Sequence, residues 1–298
     1  MTYREIRSKA AGRLRDAGIE NELAESEFLL EYACSADLNF YLLHQNDEMP
    51  QEQERIFQNL LKQRCDRIPL QHLTGEQEFM GLPFFVNENV LIPRQDTELL
   101  VEEALGYLKN KSDKENELCA FEQEQKIRVL DLCTGSGCIA VSLKKYCPEI
   151  VVTGSDLSEE ALRVAERNAE RNDADVLFVR SDLFSDLDGN SDERFHLIVS
   201  NPPYIPTDVI PTLMPEVRDH EPELALDGRA DGLFFYQKII EEADRFLFPG
   251  GCLMFEIGYD QGTAVSELMR KAGYTKIEVI PDLQGLDRVV KGRRFEYV

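Results

Sequence analysis

The spacing of apolar residues changes along the chain, and this change divides it into two kinds of predicted structure. Over the first 74 residues, apolar side chains recur every three or four positions, as they do on one face of a helix. A first helix is predicted from four such positions, and Gly18 is placed to end it: Ile6, Ala10, Leu14 and Ala17.

Two further helices are predicted in the same region. Asn21 is the expected cap of the second, whose inward side is expected to hold Leu23, Ala24, Phe28, Leu30 and Ala33. The third is expected to begin after Pro50 and to end before Pro69, with Ile56, Phe57, Leu60 and Leu61 inward. Residues 1–74 are therefore predicted to form a small all-α N-terminal domain.

A short linker is predicted to follow this domain. Apolar, β-prone runs at 78–86 and 90–92 flank Asn87-Glu88-Asn89, which suggests a hairpin with its turn at those three residues. We therefore expect a β-hairpin linker over 75–92. Further along, residues 110–126 are polar and are expected to form a surface excursion.

From residue 127 onward the pattern alternates between strand and helix. Apolar or β-branched runs predict strands at 127–132, 150–155, 176–180, 195–200 and 252–257. Helical patterns lie between them at 139–146, 158–171 and 232–248, and runs at 276–280 and 288–290 could add edge strands. This rhythm predicts an α/β fold over 93–298, with a Rossmann-like, doubly wound, mostly parallel sheet.

Charge limits the partners that this chain can bind. The 298 residues carry 33 basic and 56 acidic side chains, a formal net charge of −23. Residues 1–75 hold 9 basic and 13 acidic side chains, so most of the excess belongs to the larger domain. Proteins that bind nucleic acids by their phosphates generally present a basic surface, so direct nucleic-acid binding is disfavoured.

The sequence also predicts a cytoplasmic protein without a metal site. No apolar stretch approaches the roughly 18 residues of a membrane span, and the first residues lack the apolar core of a secretory signal. The seven cysteines form no CxxC pair, and the four histidines do not cluster with them. Free thiols in a reducing compartment are therefore expected.

The first motif with chemical content lies where the first predicted strand of the sheet ends. Gly135-Ser136-Gly137-Cys138-Ile139-Ala140 fits the G-x-G-x-x-G/A turn that lets a backbone approach a nucleotide ligand closely. Asp156 ends the next predicted strand, 19 residues after Gly137, where it could bind a ribose hydroxyl pair. Together these features predict a nucleoside site.

The surrounding acids bear on which nucleoside is bound. A nicotinamide dinucleotide carries a pyrophosphate, whereas S-adenosylmethionine carries a sulfonium, an ammonium and no phosphate. Asp131, Asp156 and Asp182 are all expected near one strand edge, and this favours the cationic ligand without excluding the dinucleotide.

The second motif, Asn201-Pro202-Pro203-Tyr204, directly follows a predicted buried strand. The two prolines fix φ and remove two backbone donors, so carbonyl groups there are expected to point outward as acceptors. With the Asn201 amide and the Tyr204 ring, they could accept both N–H bonds of a planar NH₂ group and stack on it. The alternative is a proline pair that merely ends a strand.

These motifs resemble a known family. Asn-Pro-Pro-Tyr downstream of Asp-Leu-x-Thr-Gly-Ser-Gly resembles the amino-group methyltransferases of the class I S-adenosylmethionine-dependent fold. The blocks at 69–75, 91–98 and 282–290 look like those of the bacterial peptide chain release factor glutamine N5-methyltransferases. That resemblance covers nearly the whole chain, whereas the Asn-Pro-Pro-Tyr box alone is shared with adenine N6-methyltransferases.

The resemblance implies a set of site residues. S-adenosylmethionine, which leaves as S-adenosylhomocysteine, would be bound by Cys133, Thr134, Gly135, Ser136, Gly137, Asp156, Leu183 and Asn201. Asp156 would meet its ribose, and Leu183 would flank its adenine. The substrate glutamine would be held by Asn201, Pro202, Pro203 and Tyr204, of which Asn201, Pro202 and Tyr204 would act in catalysis.

The family also implies a partner and shows two departures. The target would be the glutamine of the Gly-Gly-Gln motif in class I release factors, with the N-terminal domain docking the substrate. No membrane, nucleic-acid or oligomeric partner is implied. Cys133 stands where the family usually has glycine, and Gln95 replaces a common proline. Arg94 has no role that the sequence explains.

A mechanism and its alternatives follow. We hypothesise that the Asn201 side-chain oxygen and the Pro202 carbonyl accept the two N–H bonds of the substrate amide, while Tyr204 fixes its plane. No dedicated base is expected, since no His or Glu signature lies near the box. The alternatives are glutamine methylation of a ribosomal protein, adenine N6-methylation of DNA or RNA, and a noncatalytic donor-binding protein.

Overall fold

The computed structural model describes residues 1–118, 126–187 and 194–295, without the side chains of 110–118. Contacts between its residues divide the chain into two compact units. The first contains Met1–Gly75 together with Met214–His220, and the second contains Glu76–Leu213 and Glu221–Val298. A short segment from the middle of the second half therefore packs within the N-terminal unit.

The first unit is helical, as predicted. Its helices are α1 (Tyr3–Asp16), α2 (Glu22–Cys34), α3 (Leu38–His44), α4 (Gln51–Cys65), α5 (Leu70–Thr74) and the short α9 (Pro215–Arg218). Thr2 and Glu5 cap the start of α1 reciprocally, each side chain accepting the other's backbone N–H. The buried core includes Leu14, Leu29 and Phe57.

The predicted inward side of α2 is partly wrong. Leu30 and Ala33 are buried as predicted, but Leu23, Ala24 and Phe28 are exposed, and Ser26 and Leu29 are buried in their place. The Ser26 hydroxyl donates to the Leu23 carbonyl, so this polar side chain can lie inward without losing a hydrogen bond. Asn21 precedes the helix, but its side chain makes no capping hydrogen bond.

The second unit opens with a hairpin whose predicted turn was misplaced. Strands β1 (Glu76–Phe79) and β2 (Leu82–Phe85) pair antiparallel around Met80 and Gly81, whereas 90–92 form no strand. Both turn residues have positive φ, 53° and 69°, as a two-residue hairpin of the favoured hand requires. The turn therefore lies inside the first apolar run rather than at residues 87–89.

The predicted doubly wound, mostly parallel sheet is confirmed. Its strands are β3 (Arg128–Leu132), β4 (Val151–Asp156), β5 (Val176–Arg180), β6 (Phe195–Ser200), β7 (Leu247–Glu256), β8 (Thr275–Pro281) and β9 (Asp287–Arg293). Their order is β5-β4-β3-β6-β7-β9-β8. The first five are parallel, and β9 runs antiparallel to both of its neighbours, so the two late runs do extend one edge.

Five longer helices cover the sheet. They are α6 (Gln95–Leu118), α7 (Cys138–Tyr146), α8 (Glu159–Arg171), α10 (Phe234–Phe246) and α11 (Gly262–Lys271). One apolar cluster joins the sheet to α6, α7 and the hairpin, and another joins it to α10 and α11. Both faces of the sheet are therefore buried, as parallel sheets require.

Helix α6 is absent from the sequence-based prediction. Its buried positions Leu100, Val101, Ala104 and Leu108 have helical spacing, so the signal was present. The helix also runs through 110–118, half of the expected polar excursion, while 119–125 lie outside the described residues.

A buried ion-pair network holds α9 within the first unit. Glu216 on α9 accepts hydrogen bonds from Arg64 at 2.9 Å and from Arg67 at 2.5 Å. Arg64 is almost fully buried and also pairs with Glu25 at 2.6 Å. Burial alone would raise the pKa of Glu216, but the hydrogen bonds from Arg67 and Arg64 outweigh it and lower that pKa.

We expect Glu216→Gln to lower the free energy of unfolding by about 1–3 kcal/mol, since it leaves two mostly buried guanidinium groups with one carboxylate fewer. Because the pKa of Glu216 is lowered, its contribution is complete at neutral pH. That contribution disappears as pH falls through the folded-state pKa, so the difference from wild type should shrink in acid. Urea unfolding at pH 7 and pH 4 measures both effects.

Glu52→Gln is the matched control. Glu52 pairs with Arg55 at 2.7 Å on the surface, where both side chains are more than two-thirds exposed. Its loss should change stability by no more than about 0.5 kcal/mol. Equal effects of the two substitutions would contradict the structural importance assigned to Glu216.

Candidate active site

The glycine-containing turn after β3 starts helix α7. The Gly137 N–H donates to the Thr134 carbonyl at 2.8 Å, and the Gly137 carbonyl accepts from Val141 in the first turn of the helix. Gly137 has a φ of 78°, and a Cβ there would lie 3.0 Å from that of Ala165. Glycine is therefore required at this position for close packing against α8.

The side chain of Asp131 is buried beside this turn and hydrogen-bonds to it. It is fully buried, and its Oδ2 accepts from the Thr134 hydroxyl at 2.6 Å and from the Ala140 N–H at 3.2 Å. Burial raises its pKa to about 7, against the lowering effect of these bonds. Asp131 therefore lies near the end of β3, as expected for the three acids near one strand edge, and its carboxyl hydrogen-bonds to the turn.

Asp156 connects the turn to the start of α8. Its Oδ2 accepts the Gly135 N–H and its Oδ1 accepts the Ser158 N–H, both at 2.9 Å. Burial raises the pKa of this carboxyl, while the backbone hydrogen bonds oppose the rise. The carboxyl is thus fixed in orientation by two backbone groups at the ends of adjacent strands.

Cys133 adopts a backbone conformation that favours glycine. Its φ is 60°, in the left-handed region that costs an L-residue of this kind about 1–2 kcal/mol. Burial, followed by the nearby Asp156 carboxyl, raises the pKa of its thiol well above the usual range. Cys133 is thus a neutral side chain at a strained position next to the ligand turn.

A cavity of about 350 Å³ lies where these elements meet, entirely within the second unit. Most of the expected site residues line it: Cys133, Thr134, Gly135, Ser136, Asp156, Leu183, Asn201 and Pro203. Asp182 lines it as well. Gly137, Pro202 and Tyr204 are not among the residues that line the cavity.

The Asn-Pro-Pro-Tyr segment is held by side chains from distant parts of the chain. The Asn201 Nδ2 donates to the Thr97 hydroxyl oxygen at 3.3 Å. The Tyr204 hydroxyl donates to Glu256 Oε1 at 3.2 Å. Burial and the neighbouring Glu256 carboxyl raise the pKa of Tyr204 far above its usual value, so its hydroxyl stays protonated.

The Gln261 side chain and two glycines hold the Tyr204 main chain in place. The Gln261 side chain donates to the Tyr204 carbonyl at 3.1 Å and accepts from the Gly258 N–H at 2.9 Å. A Cβ on Gly232 would lie 2.3 Å from the Tyr204 carbonyl oxygen, and one on Gly228 would lie 2.7 Å from its Cα. These two glycines allow the 228–232 loop to pack directly on Tyr204.

Arg94, which the sequence leaves without a role, anchors one wall of the cavity. Its Nη2 donates to both carboxylate oxygens of Glu221, at 2.7 and 2.6 Å. Burial raises the pKa of Glu221, and Arg94 opposes that rise. Because Pro222, Leu224 and Ala225 line the cavity directly after Glu221, the ion pair stabilises their segment.

Several supporting residues were missed by sequence reasoning: Thr97, Glu221, Glu256 and Gln261. Glu256 lies next to Tyr204 in space, although no glutamate signature lies near the box in the sequence. A single charged residue inside the apolar run at 252–257 was the signal that could have revealed it. Thr97 belongs to the block at 91–98, but nothing local indicates that it meets Asn201.

Comparison with known proteins agrees with this geometry. Residues 5–75 match the family model described as the PrmC N-terminal domain, and residues 107–212 match the methyltransferase small domain. A release factor glutamine methyltransferase of Geobacter sulfurreducens is 41% identical over 292 residues, covering 98% of this chain and 96% of that protein. The chain belongs to the release factor glutamine methyltransferase family. The Moorella thermoacetica member is 40% identical over 99% of this chain and 100% of its own length.

Solved structures support the fold of this family member. A methyltransferase from Pyrococcus furiosus superposes with a TM-score of 0.50 at 20% identity, covering 73% of this chain and 91% of that one. The catalytic domain of hMettl16, solved with an RNA hairpin, gives 0.54 at 15% identity, covering 80% and 84%. At these identities the likeness establishes the class I methyltransferase fold alone.

The described residues, 1–118, 126–187 and 194–295, contain neither a membrane-spanning helix nor a metal-binding cluster. Among them, no helix has the length and apolar character needed to cross a membrane. Within the same residues, no group of three or more His, Cys, Asp or Glu side chains is arranged to hold a metal ion.

The strain at Cys133 can be measured by comparing two substitutions. Both Cys133→Ala and Cys133→Gly remove the thiol, but only glycine also removes the Cβ that disfavours positive φ. We expect the Gly variant to be more stable than the Ala variant by about 1 kcal/mol, measured by urea unfolding.

The same pair at Glu166, an exposed position in the middle of helix α8, is the control. There glycine should be less stable than alanine by about 0.5–1 kcal/mol. The same order of stability at both positions would argue against backbone strain at Cys133.

Proposed function

We propose that this protein methylates the side-chain amide nitrogen, N5, of a release factor glutamine, using S-adenosylmethionine as donor. More specifically, we propose that the target is the glutamine of the Gly-Gly-Gln motif in class I release factors. The single observation that carries this proposal is that Asn201 opens onto the same cavity as the glycine turn and Asp156. An amide-binding residue and a nucleoside-binding turn thus share one space.

The residues around the cavity fit S-adenosylmethionine, which supplies an activated methyl group on a sulfonium. Asp156 and Asp182 are acidic lining residues suited to a ligand with two positive centres and a ribose. Gly135 and Ser136 line the same space. We infer that Cys133, Thr134 and Gly137 shape this turn and that Leu183 flanks the adenine.

Substrate orientation is the main task of the Asn-Pro-Pro-Tyr segment. A carboxamide nitrogen is a weak nucleophile because its lone pair is delocalised into the carbonyl. The Asn201 side-chain oxygen and the Pro202 carbonyl would accept the two N–H bonds and hold the nitrogen in line for displacement. Among the described residues, none donates a backbone hydrogen bond to the Pro202 carbonyl, which supports this role.

Tyr204 would act through its position rather than as a base. Its hydroxyl is committed to Glu256, and its raised pKa keeps the proton in place. The proton on the methylated nitrogen would then leave from the cationic product to water. Tyr204 and Pro203 would limit the tilt of the substrate amide plane.

Two alternative substrates remain distinguishable by experiment. Glutamine methylation of a ribosomal protein would use the same cavity, with only the docking surface changed. Adenine N6-methylation needs a basic track for the phosphates, and the charge of −23 opposes it. Radiolabelled donor should label a release factor and not its Gln→Glu variant, a ribosomal protein or DNA. Labelling of DNA alone would overturn the proposal.

We expect Asn201→Ala to lower turnover on a release factor by about 100-fold while leaving donor affinity nearly unchanged. The substitution removes an acceptor for the substrate amide but no backbone of the donor turn. Turnover is measured under saturating substrates and donor affinity by calorimetry. Parallel losses of turnover and donor affinity would show that Asn201 serves donor binding instead.

The acidity of the chain predicts a salt effect on partner binding. A loop that works in the RNA-rich peptidyl-transfer centre is expected to be basic, so the excess of acidic side chains would attract it. The association rate should fall steeply between low and physiological salt, as measured by stopped-flow mixing. A rate that does not depend on salt would refute electrostatic steering.

A further inference from the structure

Asn168, on helix α8, is a fully buried polar side chain that the methylation mechanism does not use. Its Nδ2 donates to the Ser136 carbonyl and to the Phe85 carbonyl, both at 2.9 Å. Its Oδ1 accepts the Phe85 N–H at 2.6 Å. One side chain therefore bonds both to the glycine turn after β3 and to the last residue of strand β2.

The partners of the Asn168 amide fix its orientation, because all of them are backbone groups. The two carbonyl groups can only accept and the Phe85 N–H can only donate, so the NH₂ group must face the carbonyls and the oxygen must face the N–H. A reversed amide would place acceptor against acceptor and donor against donor, and would leave three buried backbone groups unpaired. The three hydrogen bonds therefore exist together, in this one orientation of the amide.

The Ser136 carbonyl depends on Asn168 because helix α7 does not supply a donor for it. In a regular helix each N–H bonds to the carbonyl four residues earlier, which would pair Ala140 with Ser136. Here the Ala140 N–H donates to Asp131 Oδ2 at 3.2 Å, and no backbone N–H of the described residues donates to the Ser136 carbonyl. Without Asn168 this carbonyl would lose its partner, so the glycine turn would have to shift or admit water.

Phe85, the other partner, leads into a second part of the cavity wall. Four residues shortly after it line the cavity: Asn89, Val90, Leu91 and Pro93. Val90 belongs to a buried cluster with Ala161 and Val164, which lie on the same helix as Asn168. Asn168 therefore holds the glycine turn and the start of the 89–93 segment against one helix.

We propose that Asn168 is a positioning residue for S-adenosylmethionine, which fixes the glycine turn relative to the 89–93 segment before the donor binds. This inference rests on the proposed donor site at this cavity. A preorganised site binds more tightly because the ligand does not have to order it. If only a fraction of the molecules holds the turn in the binding geometry, the apparent Kd rises by the reciprocal of that fraction.

The test removes the Asn168 amide and measures donor binding separately from turnover. Asn168→Ala should raise the Kd of S-adenosylmethionine, measured by isothermal titration calorimetry, by about tenfold or more. The KM for the donor should rise in parallel, whereas the KM for the release factor should not. Turnover at saturating donor should stay near the wild-type value, because the Asn-Pro-Pro-Tyr segment is unchanged.

Asn172→Ala is the matched control on the same helix. Asn172 lies one turn further along α8 and is 5% exposed. Its Nδ2 donates to the Pro83 carbonyl at 3.0 Å and to the Asn168 carbonyl at 2.9 Å, so this NH₂ group bonds to the hairpin and to its own helix, and not to the glycine turn. Its loss should lower the unfolding temperature, as should the loss of Asn168, but should leave the Kd of the donor at the wild-type value.

Asn168→Asp provides a second variant that keeps nearly the shape of asparagine. Whether ionised or neutral, its carboxyl offers at most one proton where the amide offers two, so it cannot donate to both the Phe85 and the Ser136 carbonyls. The Kd of the donor should therefore rise in this variant as well. Thermal unfolding checks that each variant is folded. Should Asn168→Ala fail to fold, Asn168→Asp carries the test with the same measurements.

The outcomes separate this inference from the proposed function. Wild-type protein that binds no donor, or that binds it and labels no release factor, would overturn the proposed function itself. An active wild type together with an unchanged donor Kd in either folded Asn168 variant would overturn only the positioning role. An equal rise of the Kd in Asn172→Ala would also overturn it, since that points to general loosening of the hairpin. So would a loss of turnover at saturating donor without any change in the Kd.

Discussion

The site depends on the pairing of β3 with β6 at the centre of the sheet. Leu132 and Ser200, the last residues of these parallel strands, are register partners, and the buried Ser200 hydroxyl donates to the Leu132 carbonyl at 2.8 Å. The next residues, Cys133 and Asn201, therefore begin side by side. Because the sheet continues to β4 on one side and to β7 on the other, the chain leaves this point in two directions and opens a crevice. The glycine turn and Asn201 line the same cavity for this reason.

Buried carboxyl groups then stiffen what the strands bring together. Asp131 accepts a hydrogen bond from Thr134 in the glycine turn, and Glu221 accepts one from Arg94 beside the cavity. Glu256 accepts a hydrogen bond from the Tyr204 hydroxyl. Burial raises the pKa of all three, so each is stabilised by a specific donor rather than by solvent. These three acids do not line the cavity, whereas Asp156 and Asp182 do. The site thus contains two groups of carboxyl side chains: buried ones that support its structure and others that line the cavity.

Some sequence-based expectations were wrong because residues were placed by their polarity or hydrophobicity alone. The hairpin turn was sought at the polar residues 87–89, but the backbone reverses at Met80 and Gly81, where positive φ is available. The inward side of α2 was assigned by hydrophobicity, but Ser26 lies inward because its hydroxyl bonds to its own helix. Asp131 does lie near the end of a strand, as expected, but its carboxyl accepts hydrogen bonds from the turn that follows and does not line the cavity. In each case a local hydrogen bond or a backbone angle outweighed composition.

By itself the sequence determined the all-α first unit, the alternating strands of the sheet, the glycine turn and the Asn-Pro-Pro-Tyr segment. These depend on periodicity and on residues whose own φ and hydrogen-bonding groups restrict the chain locally. Only the tertiary structure decided that Asn201 meets Thr97, that Tyr204 meets Glu256, and that α9 packs within the first unit. Such contacts join residues more than fifty positions apart. Which of them meet is set by strand order and helix packing, and no local pattern records this.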